Sequence, residues 1–523
     1  MVSSKQSMIF VLAAPTNVKL YNWQHSYRRL TKLSLALVIG WFLACTALAD
    51  ATPRTIARQV VERSGRQRGI CAVLGGEPAV AFEIARVSEF LVHVRQPNRE
   101  KASDLVDMAE NAGYGIDRLA IETGSLGKLP YADRLIDVVV VPAMTSEMLA
   151  ELSIQEIFRV LRPGGSALIG LTDQSGEAQR ITKLAHDGGA GEVKVWDDQQ
   201  GVWIQFARPP MSGTDNWSHW EKGPDNNPVS NDEHIRAPYM TQFLTGPYYI
   251  GMPSITTAAG GRTFLAIGHI AHHRREWDVL YTLIVRNGFN GTELWRKKLP
   301  EGYLVHRSAF VATGQTFYMI DRDRCLMLDP ETGQQRGVIQ PAEVVGQWKW
   351  MAIKDDVLYF LCGKPDPATE TKKGDRSRGG WGWDDLSRAY YKRRMPHGFG
   401  DTLCAYDLNE NKVLWIHKEE KLIDSRGMAM NRGRVFLYCP DLHLRSLLAK
   451  SGHVCWTQDA PETLELIEEP GKGLSSTPGF RTANMAVATP EALIIQGQTR
   501  MNVIAINTTD GSLLWTKKKI TNN

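Results

Sequence analysis

For a chain of 523 residues, cysteine is scarce: there are seven, none adjacent and none in a Cys-x-x-Cys spacing. That excludes a zinc-ribbon framework and a dense disulfide scaffold. The six beyond Cys45 (Cys71, Cys325, Cys362, Cys404, Cys439 and Cys455) are scattered, and read as small buried residues in strands. An excess of charge is missing too. Sixty-one Lys and Arg against 57 Asp and Glu leave a net charge of +4. Nucleic-acid binders concentrate far more basic charge on one face, so no nucleic-acid partner is expected. Long apolar runs are also absent, except at the N-terminus.

That exception is LSLALVIGWFLACTALA, seventeen uncharged residues from Leu33 to Ala49. Arg28, Arg29 and Lys32 precede it, and Ala47-Leu48-Ala49 before Asp50 has the small-x-small form that signal peptidases cut. Together these predict a signal peptide over residues 1–49 and a protein exported to the periplasm or cell envelope. The other reading is an uncleaved anchor of borderline spanning length. It is the one route to a membrane that the sequence offers. Phe42 stands where a lipoprotein box takes a small aliphatic residue, which argues against lipidation.

The length suggests two or three domains, and the pattern divides accordingly. Residues 54–208 alternate strand and helix. Ile70–Leu74, Phe90–Val94, Arg118–Ile121, Ile136–Val141 and Ser166–Leu171 read as strands. Helical spacing covers Pro78–Arg86, Glu100–Asn111 and Ser146–Val160, the last stopped by Pro163-Gly164-Gly165. Gly191–Trp196 and Gly201–Phe206 read as a closing antiparallel hairpin. Apolar strands alternating with helices predict a parallel sheet covered on both faces.

Residues 209–235 read as a linker and entry, and from Asn216 helical periodicity disappears. A unit of strand, Gly/Asn turn, strand and tryptophan recurs around Trp295, Trp415, Trp456 and Trp515, with a fifth copy around Gly333. Gly291 to Gly333 spans 42 residues and Asn411 to Gly452 spans 41. A period near forty predicts a β-propeller over residues 236–523, each tryptophan filling the space between blades. The longest gap holds Gly363–Gly400, with nine Lys/Arg against five Asp/Glu. As a long insertion it is a candidate recognition loop, for a ligand or protein the sequence does not identify.

Residues 70–171 resemble the class I S-adenosylmethionine-dependent methyltransferases, most clearly in LPYADRLIDVVVV (Leu129–Val141) and RVLRPGG (Arg159–Gly165). From Asn216 the chain resembles the propellers named for pyrroloquinoline quinone (PQQ). DNWSHWEKGPDNNPVSND, RNGFNGTELW, GGWGWDDL and IDSRGMAM are similar to a planctomycete-type set of exported proteins that join the two domains. The fold class expected is therefore multidomain: an α/β Rossmann-like methyltransferase fold followed by an all-β propeller. Five blades are recognisable, so the ring is either unclosed or continued beyond this reading frame.

The first resemblance implies where a cofactor would sit. Gly75, Gly76 and Glu77 would line its methionine part, Arg95 would stand at the ribose, and Ser125 and Leu126 would meet the adenine. An acid belongs at the tip of the second strand, but the chain reads Val94-Arg95-Gln96-Pro97-Asn98. Where the family has Gly-Asp the chain has Gly124-Ser125. Losing a charge-assisted bond to the ribose hydroxyls removes about 1.5–3 kcal/mol, roughly ten- to hundredfold in affinity. S-adenosylmethionine remains the candidate cofactor, but the expectation is a degenerate domain, with no catalytic residue assigned. PQQ is not expected, because the vicinal disulfide that the second resemblance implies is missing.

No metal site is assigned. His269, His272 and His273 in GHIAHHRREWD alternate across a strand without an acid between them, and read as solvated or packing residues. Asp321-Arg322-Asp323-Arg324 lacks the glycine of a calcium loop, and reads as a self-neutralising turn. The function expected is exported binding or scaffolding through the propeller. The alternatives are an active methyltransferase whose propeller recruits the acceptor, and a quinone-dependent oxidoreductase.

Overall fold

The computed structural model describes residues 53–518, apart from 172–175, 199–200, 239–240, 249–250, 367, 370, 375–397, 475–484 and 498–500. The signal expected over residues 1–49 lies outside the described residues, as does most of the Gly363–Gly400 insertion. No described helix is long and apolar enough to cross a membrane.

After helix α1 (Pro53–Ser64) come β1 (Arg68–Leu74), α2 (Pro78–Val87), β2 (Glu89–Gln96), α3 (Arg99–Asn111), β3 (Leu119–Thr123) and β4 (Ile136–Met144). Then follow α4 (Ser146–Glu151), α5 (Ile154–Val160), β5 (Leu161–Leu171), α6 (Glu177–Asp187), β6 (Val193–Asp198) and β7 (Gly201–Ala207). The sheet runs β3-β2-β1-β4-β5-β7-β6, parallel except for β7, which pairs antiparallel with both β5 and β6. Val138 to Val141 are fully buried, because helices cover both faces of the sheet.

Two expectations are corrected. Ser146–Val160 is not one helix. Leu152 is extended, and Ser153 caps a second helix by accepting from Glu156 N, a local bond that competes with helix continuation. The strand after it begins at Leu161, so Pro163-Gly164-Gly165 lies inside β5. Helices α1 and α6 lay outside the sequence reading.

Among the described residues, the second half forms five antiparallel meanders, each with four strands in chain order. The first blade holds Met252–Ala259, Arg262–Ala271, Thr282–Asn287 and Glu293–Lys298. Blade two holds Phe310–Ala312, Phe317–Asp321, Arg324–Leu328 and Gln335–Ile339, and blade three holds Gln347–Lys354, Val357–Gly363, Phe399–Asp407 and Lys412–Asp424. Blade four holds Ala429–Asn431, Arg434–Cys439, His443–Leu448 and Val454–Gln458, and blade five Ala486–Ala488, Ala492–Ile495, Val503–Asn507 and Leu513–Lys517. The insertion is not wholly loop: Lys372–Lys373 pairs with the second strand of blade one, and Phe399 and Gly400 belong to blade three.

The recurring tryptophans join neighbouring blades through one repeated contact. Trp295 Nε1 donates to Pro330 O at 3.1 Å, Trp415 to Ala449 O at 2.8 Å, and Trp456 to Thr508 O at 2.9 Å. Each indole lies against a glycine of the following blade: Gly333, Gly452 and Gly511. A Cβ there would stand 2.6–2.8 Å from the ring. Trp515, which no described blade follows, is 47% exposed.

A single segment also stitches the first strands of all five blades. Trp217 exchanges backbone bonds with Ala258. Ser218 O accepts from Ala312 N, His219 Nε2 from Ile353 N, Pro224 O from Met430 N, and Asp225 O from Ala488 N, at 2.8–3.2 Å. The stretch DNWSHWEKGPDN is thus part of the propeller, and satisfies backbone donors at the free edge of every blade.

Candidate functional site

The turn after β1 has the backbone expected of a cofactor cradle. Gly75 and Gly76 take φ of +63° and +79°, which favours glycine. Gly75 N donates to Arg95 O at 2.9 Å, and Gln96 Nε2 donates to Gly76 O at 3.1 Å. Glu77 precedes α2 and pairs outward with Lys101 at 2.5 Å. The site residues named from sequence therefore do converge at the C-terminal ends of β1, β2 and β3.

What fills the cradle is the protein itself. Met148 of α4 lies over the first glycine, its Cε 2.8 Å from where a Gly75 Cβ would stand, with Leu126 beyond it. Leu126 is fully buried. Arg95 is held by its neighbours. Its guanidinium pairs with Glu122 at 2.9 Å and donates to Thr123 O and Ser125 O. It also folds over Gly124, leaving no room there for even a Cβ. The adenine side is closed similarly. Glu151 accepts from the Ser125 hydroxyl and from the backbone of Leu126 and Gly127, and the Ser125 bond, followed by those amides, holds its carboxyl below the usual range. The Arg95 guanidinium, the Ser125 hydroxyl and the Leu126 amide are thus all engaged by neighbouring groups of the chain.

The motifs that carried the resemblance hold structure. Arg159 binds Asp133 and Glu156, each at 2.7 Å, and donates to Leu129 O and Tyr131 O, fixing the LPYAD loop. Asp137 is almost fully buried and accepts from Ile70 N, Arg162 Nε, Asn287 Nδ2 and Asn290 Nδ2 at 2.6–2.9 Å. The two asparagines belong to RNGFNGTELW of the first blade. With Arg66–Glu331 at 2.9 Å and Arg68 Nη1 on Leu294 O, they dock the propeller at the N-terminal ends of β1 and β4. A cofactor cradle lies at the opposite ends of those strands.

At the propeller's inner edge, His219, Trp220, Glu221, Asn226, Arg307 and Trp350 line a cavity of about 10 Å³, room for roughly one water molecule. Arg307 is buried and donates to Ser425 O, while its Nη1 and Glu221 Oε2 have no hydrogen-bond partner among the described residues. Burial pulls Arg307 down to about 10 and pushes the Glu221 carboxyl up.

Other sequence candidates resolve simply. His272 and His273 donate backbone N–H to Glu276 Oε2, and His269 is buried with its ring 6.4 Å from Tyr281. Asp321 pairs with Arg324 at 2.7 Å across the Arg322 turn. All six described cysteines lie in strands, five of them buried. Sequence reasoning missed the convergence of Glu419, Cys439 and His443: Cys439 and His443 face each other across one hairpin of blade four, and Glu419 comes from blade three.

Residues 395–523 match a family model described as outer membrane protein assembly factor BamB. No curated protein matches the chain. Among solved structures, BamB from Moraxella catarrhalis is 11% identical with a TM-score of 0.30, over 51% of this chain and 60% of its own. This chain thus spans about three fifths of that protein. A SAM-dependent methyltransferase from Aquifex aeolicus is 15% identical with a TM-score of 0.25, over 30% of this chain and 98% of its own. A SAM-dependent O-methyltransferase from Thermotoga maritima is 13% identical with a TM-score of 0.26, over 30% and 65%.

Proposed function

We propose that the chain is an exported binding or scaffolding protein whose methyltransferase-like domain no longer holds S-adenosylmethionine. The observation that carries this reading is the occupied cradle, with Met148 against Gly75 and Arg95 tied to Glu122 over Gly124. A ligand entering there must displace one side chain and break a set of bonds before making any of its own. The ribose acid that would repay this is absent.

The propeller then supplies the partner surface. The match of residues 395–523 to an envelope assembly factor supports a protein partner in the cell envelope. Docking at the N-terminal ends of the parallel strands disfavours the alternative in which the propeller hands an acceptor to a methyl donor.

Calorimetric titration of the purified protein with S-adenosylmethionine tests the central claim. The expected result is no saturable heat up to about 1 mM, the upper end of ordinary enzyme KM values. Saturable binding below that overturns it. Export is read separately: expressed with residues 1–49, the protein should be recovered outside the cytoplasm beginning at Asp50. A cytoplasmic protein with an intact N-terminus removes that part.

A further inference from the structure

Where blade three meets blade four, three metal-ligating side chains of different chemistry converge. Glu419 lies on the last strand of blade three. Cys439 ends the second strand of blade four, and His443 begins its third, the two being direct register partners across one hairpin. Their ligand atoms all lie within 4.8 Å of one another. All three are buried, at 5%, 0% and 5% exposure.

The second observation is His443 itself. Its Nε2 stands 3.3 Å from Glu419 Oε2, yet that contact lacks hydrogen-bond geometry, and the buried nitrogen has no other partner among the described residues. Leaving such a group unsatisfied costs about 1–3 kcal/mol. The carboxylate is already well served: His417 Nε2 approaches Oε1 at 2.7 Å, and Arg445 Nη1 reaches both oxygens at 2.7 and 2.9 Å. The Cys439 thiol gives the cluster nothing in its neutral form. An ion-pair cluster explains Glu419, His417 and Arg445 and accounts for the approach of His443 to the same carboxylate, but it leaves the buried Cys439 thiol without a purpose and the His443 nitrogen without a well-formed hydrogen bond.

We infer that Glu419, Cys439 and His443 form a structural zinc site that staples blade three to blade four. Sulfur, imidazole and carboxylate together suit a borderline-soft tetrahedral ion, and Zn²⁺ takes all three donor types, with one water as the fourth ligand. Ligands about 2.0–2.3 Å from one ion stand roughly 3.3–3.8 Å apart, a separation that Glu419 Oε2 and His443 Nε2 already have at 3.3 Å. Zinc takes the thiolate and the His443 Nε2 that now stands against Glu419, displacing the thiol proton to solvent. Arg445 and His417 keep their bonds to Glu419 and orient the carboxylate. The two ligands from one hairpin and the third from the neighbouring blade make the ion a cross-link.

Metal-free full-length protein is titrated with Co²⁺ as a spectroscopic probe, then with Zn²⁺ in competition. One equivalent of Co²⁺ should produce a thiolate-to-metal charge-transfer band, which Zn²⁺ abolishes while raising Tm. Cys439→Ser and His443→Gln should lose the band, and Cys455→Ser should keep it. X-ray absorption on the zinc-loaded wild type should show one sulfur with nitrogen and oxygen ligands, a readout independent of whether any variant folds. Absence of the band in folded wild type, its survival in Cys439→Ser, or zinc with no sulfur ligand overturns the assignment.

Discussion

Asn290 Nδ2 donates to Asp137 Oδ2 at 2.7 Å, and this bond crosses from the propeller to the base of the α/β sheet. Asp137 also holds Arg162, Asn287 and the backbone of Ile70, so one carboxylate organises both sides of the seam. Gly69 is needed beside it: a Cβ there would stand 2.4 Å from Asp137 Oδ2. Replacing Asp137 by Ala leaves the largely buried Arg162 uncompensated, a change that typically costs about 3–5 kcal/mol. Asn290→Ala removes one partner and should cost about 1–3 kcal/mol. Urea denaturation checks both, and limited proteolysis should cut between residues 208 and 215 faster in D137A. Unchanged proteolysis would show that docking does not depend on this residue.

The tryptophan contacts predict a graded glycine series. Gly433 and Gly452 share a φ of +71°, but a Cβ on Gly433 meets nothing within 4 Å, while one on Gly452 meets the Trp415 ring at 2.8 Å. Gly433→Ala therefore reports left-handed strain alone, about 1–2 kcal/mol. Gly452→Ala adds displacement of an indole buried between blades, and should cost more by an overpacking term of about 1–3 kcal/mol. Thermal unfolding of the two variants measures the difference. Equal losses would show that Trp415 yields freely, and that the blade contact is loose.

The sheet and the blades were legible because their signals are local. Val138–Val141 is a continuous apolar run, and Gly291, Gly333, Asn411, Gly452 and Gly511 stand at the corresponding turn of successive meanders. The missing acids at Arg95 and Gly124-Ser125 could be read, but not what replaced them. Arg95 meets Glu122 through strand register, and Met148 reaches Gly75 across a helix whose break at Leu152-Ser153 was not foreseen. The strap through His219, Pro224 and Asp225 read as a linker and propeller entry, but its contacts could not be read because its partners lie from about forty to more than 260 residues away in sequence. Glu419, Cys439 and His443 were invisible for the same reason: no spacing encodes a site assembled from two blades.

His219 makes that strap sensitive to acid. Its Nε2 accepts from Ile353 N at 3.2 Å, so that nitrogen carries no proton, and Nδ1 faces the Ser218 hydroxyl at 2.8 Å. Burial holds the ring at about 3, well below its unfolded value near 6.5. Between those values the unfolded chain binds a proton that the folded chain refuses, so the His219 contribution is complete above about pH 6.5 and is lost as pH falls toward 3. Glu221, in the same cavity, is shifted upward and acts with the opposite sign. Comparing wild type with His219→Gln cancels that contribution, because both proteins keep Glu221. The wild type should lose stability relative to the variant as pH falls, with a slope approaching about 1.4 kcal/mol per pH unit below pH 6. Denaturation midpoints from pH 7 to pH 4 check this, and parallel curves for the two proteins would mean that His219 is protonated without loss of the strap.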